Sequence, residues 1–501
     1  MKPHVLVRFV SQTRWQSAGL ILGTLLVASA SAEPNRNDVV DVLHRSVAFF
    51  REHASAGGGY VFQISADLSK REGEGRVGQS TAWIEPPATP SVGMAYLQAY
   101  RHCHDPLLLD AAQETAFALV RGQLRSGGWD VRIEFEPKHR KAYSYRVDPD
   151  EGKKRRNTTT FDDDKSQSAM RFLMQLDQEL KFQNAAIHEC VTYALNAAAD
   201  AQYACGAWPQ RYTDSPDAKE QSAKDAAKDS NFQRASFPDT WSRTFAGDDY
   251  TDHYTLNDNT IADLITTMLD GWDVYGDRRY LESAIRGGDF LLRAQLPEPQ
   301  PAWAQQYNHE MHPVWARKFE PPAISGGESQ GVMKTLINLY RRTASETDNA
   351  ERFLEPVPRA IAYLRRSQRH DGRLARFYEL ETNQPLYFTR KYQLVYTDDD
   401  LPTHYGFIVS SNLDSIERLF LKTQKTPVAE LHRAKSDSAP KRSKQLDAEV
   451  SRIVNDLDRR GAWVESGKLR YHGDDDPTSH VIRSDTFSKN LKTLAEWLAA
   501  P

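Results

Sequence analysis

Apolar residues recur at intervals of three and four along most of this chain, the period of an amphipathic helix. Asp38–His53 (DVVDVLHRSVAFFREH) is the first such stretch. Ser91–Ala99 and Asp105–Arg125 read as an antiparallel pair, with Asp105 placed to cap the second helix and Pro106 in its first turn. The pattern returns after Asp162–Asp164, again over Phe182–Ala201, and after Asn257-Asp258-Asn259. It continues over Arg278–Arg293, Glu328–Arg342 and Glu351–Gln368, and closes with Leu446–Arg459 and Thr486–Leu498.

The helices leave by a common exit. CGAWPQRY (Cys205–Tyr212) follows the helix ending at Gln202, and Trp208 stands six residues beyond that glutamine. The same interval separates Gln123 from Trp129 and Gln368 from Leu374, with a looser copy from Gln295 to Trp303. Fainter copies end at Tyr60 and Trp463, which makes six in all. A supersecondary unit repeated in this way buries its apolar face by stacking on its neighbours. The expected fold is all-α, either an open solenoid or a closed α/α toroid of about six helical hairpins with long loops at one end. The single crowded loop set and the lack of polar capping repeats favour the toroid.

Three features modify this picture. Residues 1–32 carry a basic start (Lys2, Arg8, Arg14), a short apolar run and the small-residue site Ala30-Ser31-Ala32, the pattern of a secretory signal peptide. The mature chain, residues 33–501, is therefore expected as a single secreted or periplasmic toroid domain, a monomer with no membrane segment after cleavage. A net charge of −4 argues against a nucleic-acid partner. Three cysteines make no disulfide framework: Cys103, Cys190 and Cys205 read as free thiols, with a Cys190–Cys205 bridge as the alternative. Residues 213–243 and 422–445 read as mobile insertions. Lys138–Thr160, with KHRK and KKRR, reads as a solvated insertion or as a lip for a polyanion.

If the exit loops converge, they bring together three kinds of residue. Carboxylates and amides come from Asp130, Asp162–Asp164, Asn257, Asp258 and Asn308. Arg211, Arg317, Arg373, Arg376 and Arg390 supply guanidinium groups, and Trp129, Trp208, Tyr212, Trp303 and Tyr378 supply rings. Guanidinium forks bind carboxylates, and Asp and Asn oxygens bind a hard cation. Such a pocket suits an acidic sugar polymer. The plainer alternative is that Asp163 and Asp258 only cap helices.

GAWPQRY, YTLNDNTIADLI, AWAQQYNHEMHPVWARKFEPPAISGGES and ARFYELETNQPLY occur in that order, and the set resembles the pectate lyases of polysaccharide lyase family ten. The likeness covers roughly Phe182–Gly406; the N-terminal third, with EPPATPSVG and SGGWD, looks like added hairpins. It implies an α/α toroid and calcium-assisted β-elimination on pectate. It implies metal contact by Asn257, Asp258 and Asn308, and substrate contact by Trp208, Arg211, Tyr212, Arg317, Glu320 and Tyr378. An arginine is implied as the base, with Arg376 preferred over Arg373 and Arg390. Departures are visible. Gln306-Tyr307-Asn308 lacks an acid, Arg390-Lys391-Tyr392 replaces Arg-Asp-Gly, and the closing aromatic segment is reduced to His404–Phe407. Weaker calcium binding, a changed substrate and lost activity all stay open at this point. So do a glycoside hydrolase using Asp130, Asp163 and Asp258 and a non-catalytic carbohydrate-binding toroid.

Overall fold

The computed structural model describes residues 34–150, 152, 154–213, 233–247, 250–251, 253–431 and 440–501. The proposed leader, residues 1–32, lies outside the described residues. Among the described residues, twelve helices of ten residues or more alternate between two roles. They are α1 Arg36–Phe49, α2 Thr89–Cys103, α3 Pro106–Gly122, α4 Lys165–Glu179, α5 Ala185–Asp200 and α6 Thr260–Tyr275. They continue as α7 Arg278–Arg293, α8 Glu328–Thr343, α9 Val357–Arg366, α10 Leu413–Lys425, α11 Lys444–Asp456 and α12 Ser484–Ala499. Odd-numbered helices lead into the exit loops and even-numbered helices leave them. Asp105 caps α3 as expected, its carboxylate accepting from the Leu107 N–H at 3.0 Å.

The even-numbered helices pack on one another in the order α12–α2–α4–α6–α8–α10. The first and last units are therefore spatial neighbours, although they come from opposite chain ends. Short antiparallel ribbons seal the same junctions at the loop end. Thr81–Trp83 pairs with Arg132–Glu134, Thr159–Thr160 with Arg211–Tyr212, and Tyr254–Thr255 with Gln306–Tyr307. Ala323–Ser325 pairs with Phe377–Glu379, and Gln63–Ser65 with Val481–Arg483. The fold is thus mostly helical, with several small sheets that the apolar periodicity did not indicate. Strands of two to four residues are too short for a period-two pattern to register.

The recurring exit is a hydrogen-bonded latch. Gln123 Nε2 donates to the Gly127 carbonyl at 2.7 Å and to the Cys190 carbonyl of α5 at 2.8 Å. Gln202 does the same with Gly206 and with Ser283 of α7, at 3.0 and 2.9 Å. Gln295 reaches Pro301 and Pro356, and Gln368 reaches Gly372 and the Ser411 hydroxyl. Indole N–H groups pin the loops back onto their own helices: Trp129 to Leu119, Trp208 to Ala198, Trp303 to Leu291 and Trp463 to Ile453. Gly127 and Gly206 sit at φ +117 and +91, where a Cβ would lie 2.2 Å from Ala197 Cβ and 2.1 Å from the Arg286 carbonyl oxygen. Both positions require glycine.

The insertions differ in part from expectation. Lys138–Thr160 is not a free basic lip, because three of its arginines pair within the protein, while Lys138, Lys141 and Lys154 stay exposed as the solvated reading expects. Arg140 pairs with Asp148 and lies over Tyr145, Arg146 pairs with Glu189 and lies over Tyr193, and Arg156 pairs with Asp130. Residues 233–247, within the expected mobile segment 213–243 and just beyond it, are tied down. The Ala235 N–H donates to the Arg293 carbonyl, and the Trp315 indole to the Ser242 carbonyl. Residues 214–232 and 432–439 lie outside the described set. The 422–445 stretch expected as a linker includes the end of α10 and the start of α11. All three cysteines are free.

The latch predicts a stability contrast. Gln123→Met leaves the Gly127 carbonyl without its side-chain donor, removes a second bond to the Cys190 carbonyl and takes an acceptor from Arg146, and should cost about 1–3 kcal/mol. Gln368→Met, whose second partner is a hydroxyl that can turn elsewhere, should cost less. Thermal unfolding of the two variants measures the difference, and equal losses would contradict the assignment.

Candidate active site

The loop ends that lead into α4 and α6 carry the same unusual turn. Asp162–Asp164 and Asn257–Asn259 each form one turn of 3-10 helix, and their central residues, Asp163 and Asp258, sit at φ +48 and +50. The next residues, Asp164 and Asn259, are also left-handed. Such conformations cost a non-glycine residue about 1–3 kcal/mol. None of these side chains caps its helix. The capping alternative for Asp163 and Asp258 is therefore excluded.

Instead, the two turns meet. One carboxylate oxygen each from Asp162, Asp163 and Asp258 lies within 4.8 Å of the others. Three hard oxygen donors so close together are able to coordinate a divalent ion. Burial, followed by the charges of Asp163, Asp162 and Glu328, pushes the Asp258 carboxyl up to about 7. Asn257 orients it, with Nδ2 donating to Asp258 Oδ2 at 2.7 Å. Asn308 serves otherwise: its Oδ1 accepts the His312 N–H at 2.9 Å and holds a turn.

A buried ammonium borders the same cluster. Lys165 Nζ lies 3.0 Å from Asp163 and 3.8 Å from Asp162, and 3.1 Å from Glu85, which comes from the N-terminal unit. Burial opposes its charge, but the three carboxylates outweigh burial and hold its pKa above the ordinary lysine value. Glu85 is pushed up to about 7, mainly by burial.

Facing this cluster is a second network, built on Gln305. Its Nε2 donates to Asn257 Oδ1, to Glu320 Oε1 at 2.9 Å and to the Tyr405 hydroxyl at 3.2 Å. Glu320, 1% exposed, holds Arg317 through two bonds of 2.7 and 2.5 Å. Arg376 Nε donates to the Gly406 carbonyl at 2.7 Å and Nη1 to Glu328 at 3.0 Å, with the guanidinium 4.8 Å from the Tyr405 ring centre. Burial would lower the pKa of both arginines, but Glu320 for Arg317 and Glu328 for Arg376 reverse that, and Asp258 adds to each. Tyr250 stands in the field of Arg317, Glu320, Arg211 and Asp162, its phenol pushed up chiefly by burial.

The structure sorts the expected site residues. Arg317, Glu320, Arg376, Asn257 and Asp258 come together, and Arg211 joins through Asp162 at 3.4 Å. Arg373 and Arg390 turn instead to Asp371 and Asp400 in their own loops. Trp208 and Tyr378, 0% and 1% exposed, have no surface to offer a sugar. Trp208 belongs to the latch, and the Tyr378 hydroxyl donates to the Ser367 carbonyl at 2.8 Å. Tyr212 is likewise buried, against Phe161. Gln305, Tyr405, Tyr250, Lys165 and Glu85 were missed. Of these only Lys165 had a signal, as a lysine directly after three aspartates where a buried helix begins.

The family model for pectic acid lyase matches residues 123–404, more than half of the chain. The chain belongs to the pectic acid lyase family and is a polysaccharide lyase. The match begins well before Phe182, so SGGWD lies inside it and only the hairpins before Gln123 are additional on that side. No curated protein matches the chain. Among solved structures, a family 10 polysaccharide lyase from Cellvibrio cellulosa is 22% identical, with a TM-score of 0.43, over 62% of this chain and 91% of that one. A mutant of that lyase in complex with trigalacturonic acid is 20% identical, with a TM-score of 0.44, over 67% and 98%. A GH76 α-mannanase from Bacteroides thetaiotaomicron is 10% identical, with a TM-score of 0.41, over 93% and 96%.

Asp258 also predicts a pH response. Its folded pKa lies above the unfolded value, so its contribution to stability is complete at low pH and is lost as pH rises through about 7. The metal-free thermal midpoint should therefore fall between about pH 4 and 7, and Asp258→Asn should make that fall shallower. A variant that keeps the wild-type slope would assign the titration elsewhere.

Proposed function

We propose that this protein is an exported lyase that cleaves a uronic-acid polysaccharide such as pectate by β-elimination. The observation that carries this reading is the meeting of Arg317 and Arg376 with the Asp162–Asp163–Asp258 cluster inside the family match. Five of six unit junctions are sealed by helix contacts and ribbons, including the one between the chain ends. We take the sixth, between α10 and α12, to close an α/α toroid formed by residues 33–501. Residues 1–32 are its export leader, and no helix among the described residues is long and apolar enough to cross a membrane.

The chemistry needs the C5 proton of a uronate to become acidic, which requires the neighbouring carboxylate to be neutralised. Arg317, fixed by Glu320, supplies one such charge. The three aspartates suit a calcium ion in their all-oxygen donor set; when bound there, it would act as a Lewis acid toward the substrate carboxylate. Arg376 is the residue we place at the C5 proton. It commits Nε to Gly406 and Nη1 to Glu328, leaving Nη2 for the substrate. In the step itself, Arg376 as the neutral guanidine takes the C5 proton, the C5–H electron pair forms the C4–C5 double bond as the C4–O bond breaks, and the glycosidic oxygen leaves with the electrons of that bond and takes a proton from solvent. Asp258 and Glu328 both raise the pKa of Arg376. Neutralising Asp258 removes one of the charges that raise it, which ties the base to occupancy of the acidic cluster.

The test is ultraviolet absorbance of the unsaturated product on polygalacturonate with and without added calcium. The wild type should produce it and chelation should abolish it. Arg376→Ala should reduce turnover by about 10²-fold or more in protein that still unfolds cooperatively, at a lower midpoint because Glu328 loses its partner. New reducing ends without absorbance would mean hydrolysis, and binding without either product would mean a carbohydrate-binding protein. Asp258→Ala should weaken the calcium response more than Asp163→Ala, because Asp163 already has Lys165 as a counter-charge.

A further inference from the structure

A cavity of 660 Å³ opens between α2, α4 and α12. Much of its wall lies outside the segment shared with the family, since α2 precedes Gln123 and α12 follows His404. One end of its wall is continuous in sequence with the candidate active site. Asp164, which lines it, follows Asp163 in sequence, and Pro86 and Pro87, also in the wall, follow Glu85. The volume is in the range of sites that hold small organic ligands.

Most of the charges that line it are already matched. Arg171 is paired with Asp164 at 2.5 Å, Lys489 with Glu449 at 3.5 Å and Asp485 with Arg483 at 3.1 Å. Lys492 and Glu496, one turn apart on α12, have no ion-pair partner among the described residues. The Ser488 hydroxyl, one turn before Lys492, is buried without a hydrogen-bond partner. Opposite them α2 offers the Gln98 amide and the apolar side chain of Met94. One free cation, one free anion, two neutral polar groups and an apolar face match the surface of a sugar acid. Such a residue has one carboxylate, several hydroxyls and a C–H face.

We propose that this cavity is an accessory binding site for a uronic-acid residue of the polymer or of its cleavage product. Lys492 receives the carboxylate, Glu496 and the Gln98 amide bond sugar hydroxyls, and Met94 packs against the ring. The assignment rests on the acidic-carbohydrate reading given above. It gives the N-terminal unit a role, as a wall that holds one part of the chain while the acidic cluster acts on another.

The test is calorimetric titration of the full chain with trigalacturonate, beside initial rates on polygalacturonate. Lys492→Gln and the cavity-filling Met94→Trp should each weaken trigalacturonate binding by about ten-fold or more, the loss of one charge-assisted hydrogen bond. Arg376→Ala, which lies outside the cavity, should keep the Lys492-dependent binding and lose turnover. Wild-type affinity in both cavity variants overturns the proposal, even if the enzyme is an active lyase. Binding that depends on Lys492 without any unsaturated product sustains the cavity and overturns the lyase reading instead. Equal affinity for maltotriose, which has no carboxylate, would overturn the uronate assignment, as would the absence of any trigalacturonate binding.

Discussion

A side-chain amide that reaches two carbonyls at once governs the spacing of this molecule. Gln123, Gln202 and Gln295 each bond one carbonyl of their own exit loop and one carbonyl of the following unit. The loop and the next helix hairpin are thereby fixed relative to each other, in a buried setting where an unpaired carbonyl would be costly. The indole of the same exit fixes the loop to its parent helix. With both in place, successive loops are held at a repeating offset, so residues far apart in sequence arrive at one end of the inner helices. Asp163, Asp258, Arg317 and Arg376 come from four different loops and need that regularity to meet.

The repeat also accounts for the strain at the site. The turns before α4 and α6 adopt the same left-handed geometry with aspartate and asparagine where glycine would be easier. That geometry directs the carboxylates at each other and away from the helix ends they precede. Three like charges then share a small volume, and the protein manages them unequally. Lys165 compensates Asp163 and Glu85, whereas Asp258 is left to hold its proton up to about pH 7. The uncompensated member of the group faces the arginines.

The helices, the six exits and the arginine and aspartate segments were legible in the amino-acid sequence because each is a local pattern. Helical periodicity and the Gln-to-Trp interval repeat often enough to reinforce one another. What the sequence hid was direction. Trp208 and Tyr378 look like sugar-binding rings in a loop, and only packing shows both facing inward. Asp163 and Asp258 read equally well as caps until their backbone angles are known. Gln305 and Tyr405 carry no motif of their own; their importance comes from three partners in two other loops. The basic loop after Lys138 was legible as charge, but the carboxylates that consume that charge are scattered from Asp130 to Glu189.

The pairing of Gln63–Ser65 with Val481–Arg483 has a consequence for how the chain acquires its structure. The second helix of the first unit packs against the last helix of the protein, so its apolar face has no permanent cover until the final residues are available. Contacts spanning more than 400 residues are late and slow to form. A chain emerging from the ribosome cannot complete its first repeat until its last strand and helix are available. Shortening either end would leave an unpaired strand edge and an uncovered helix at the other.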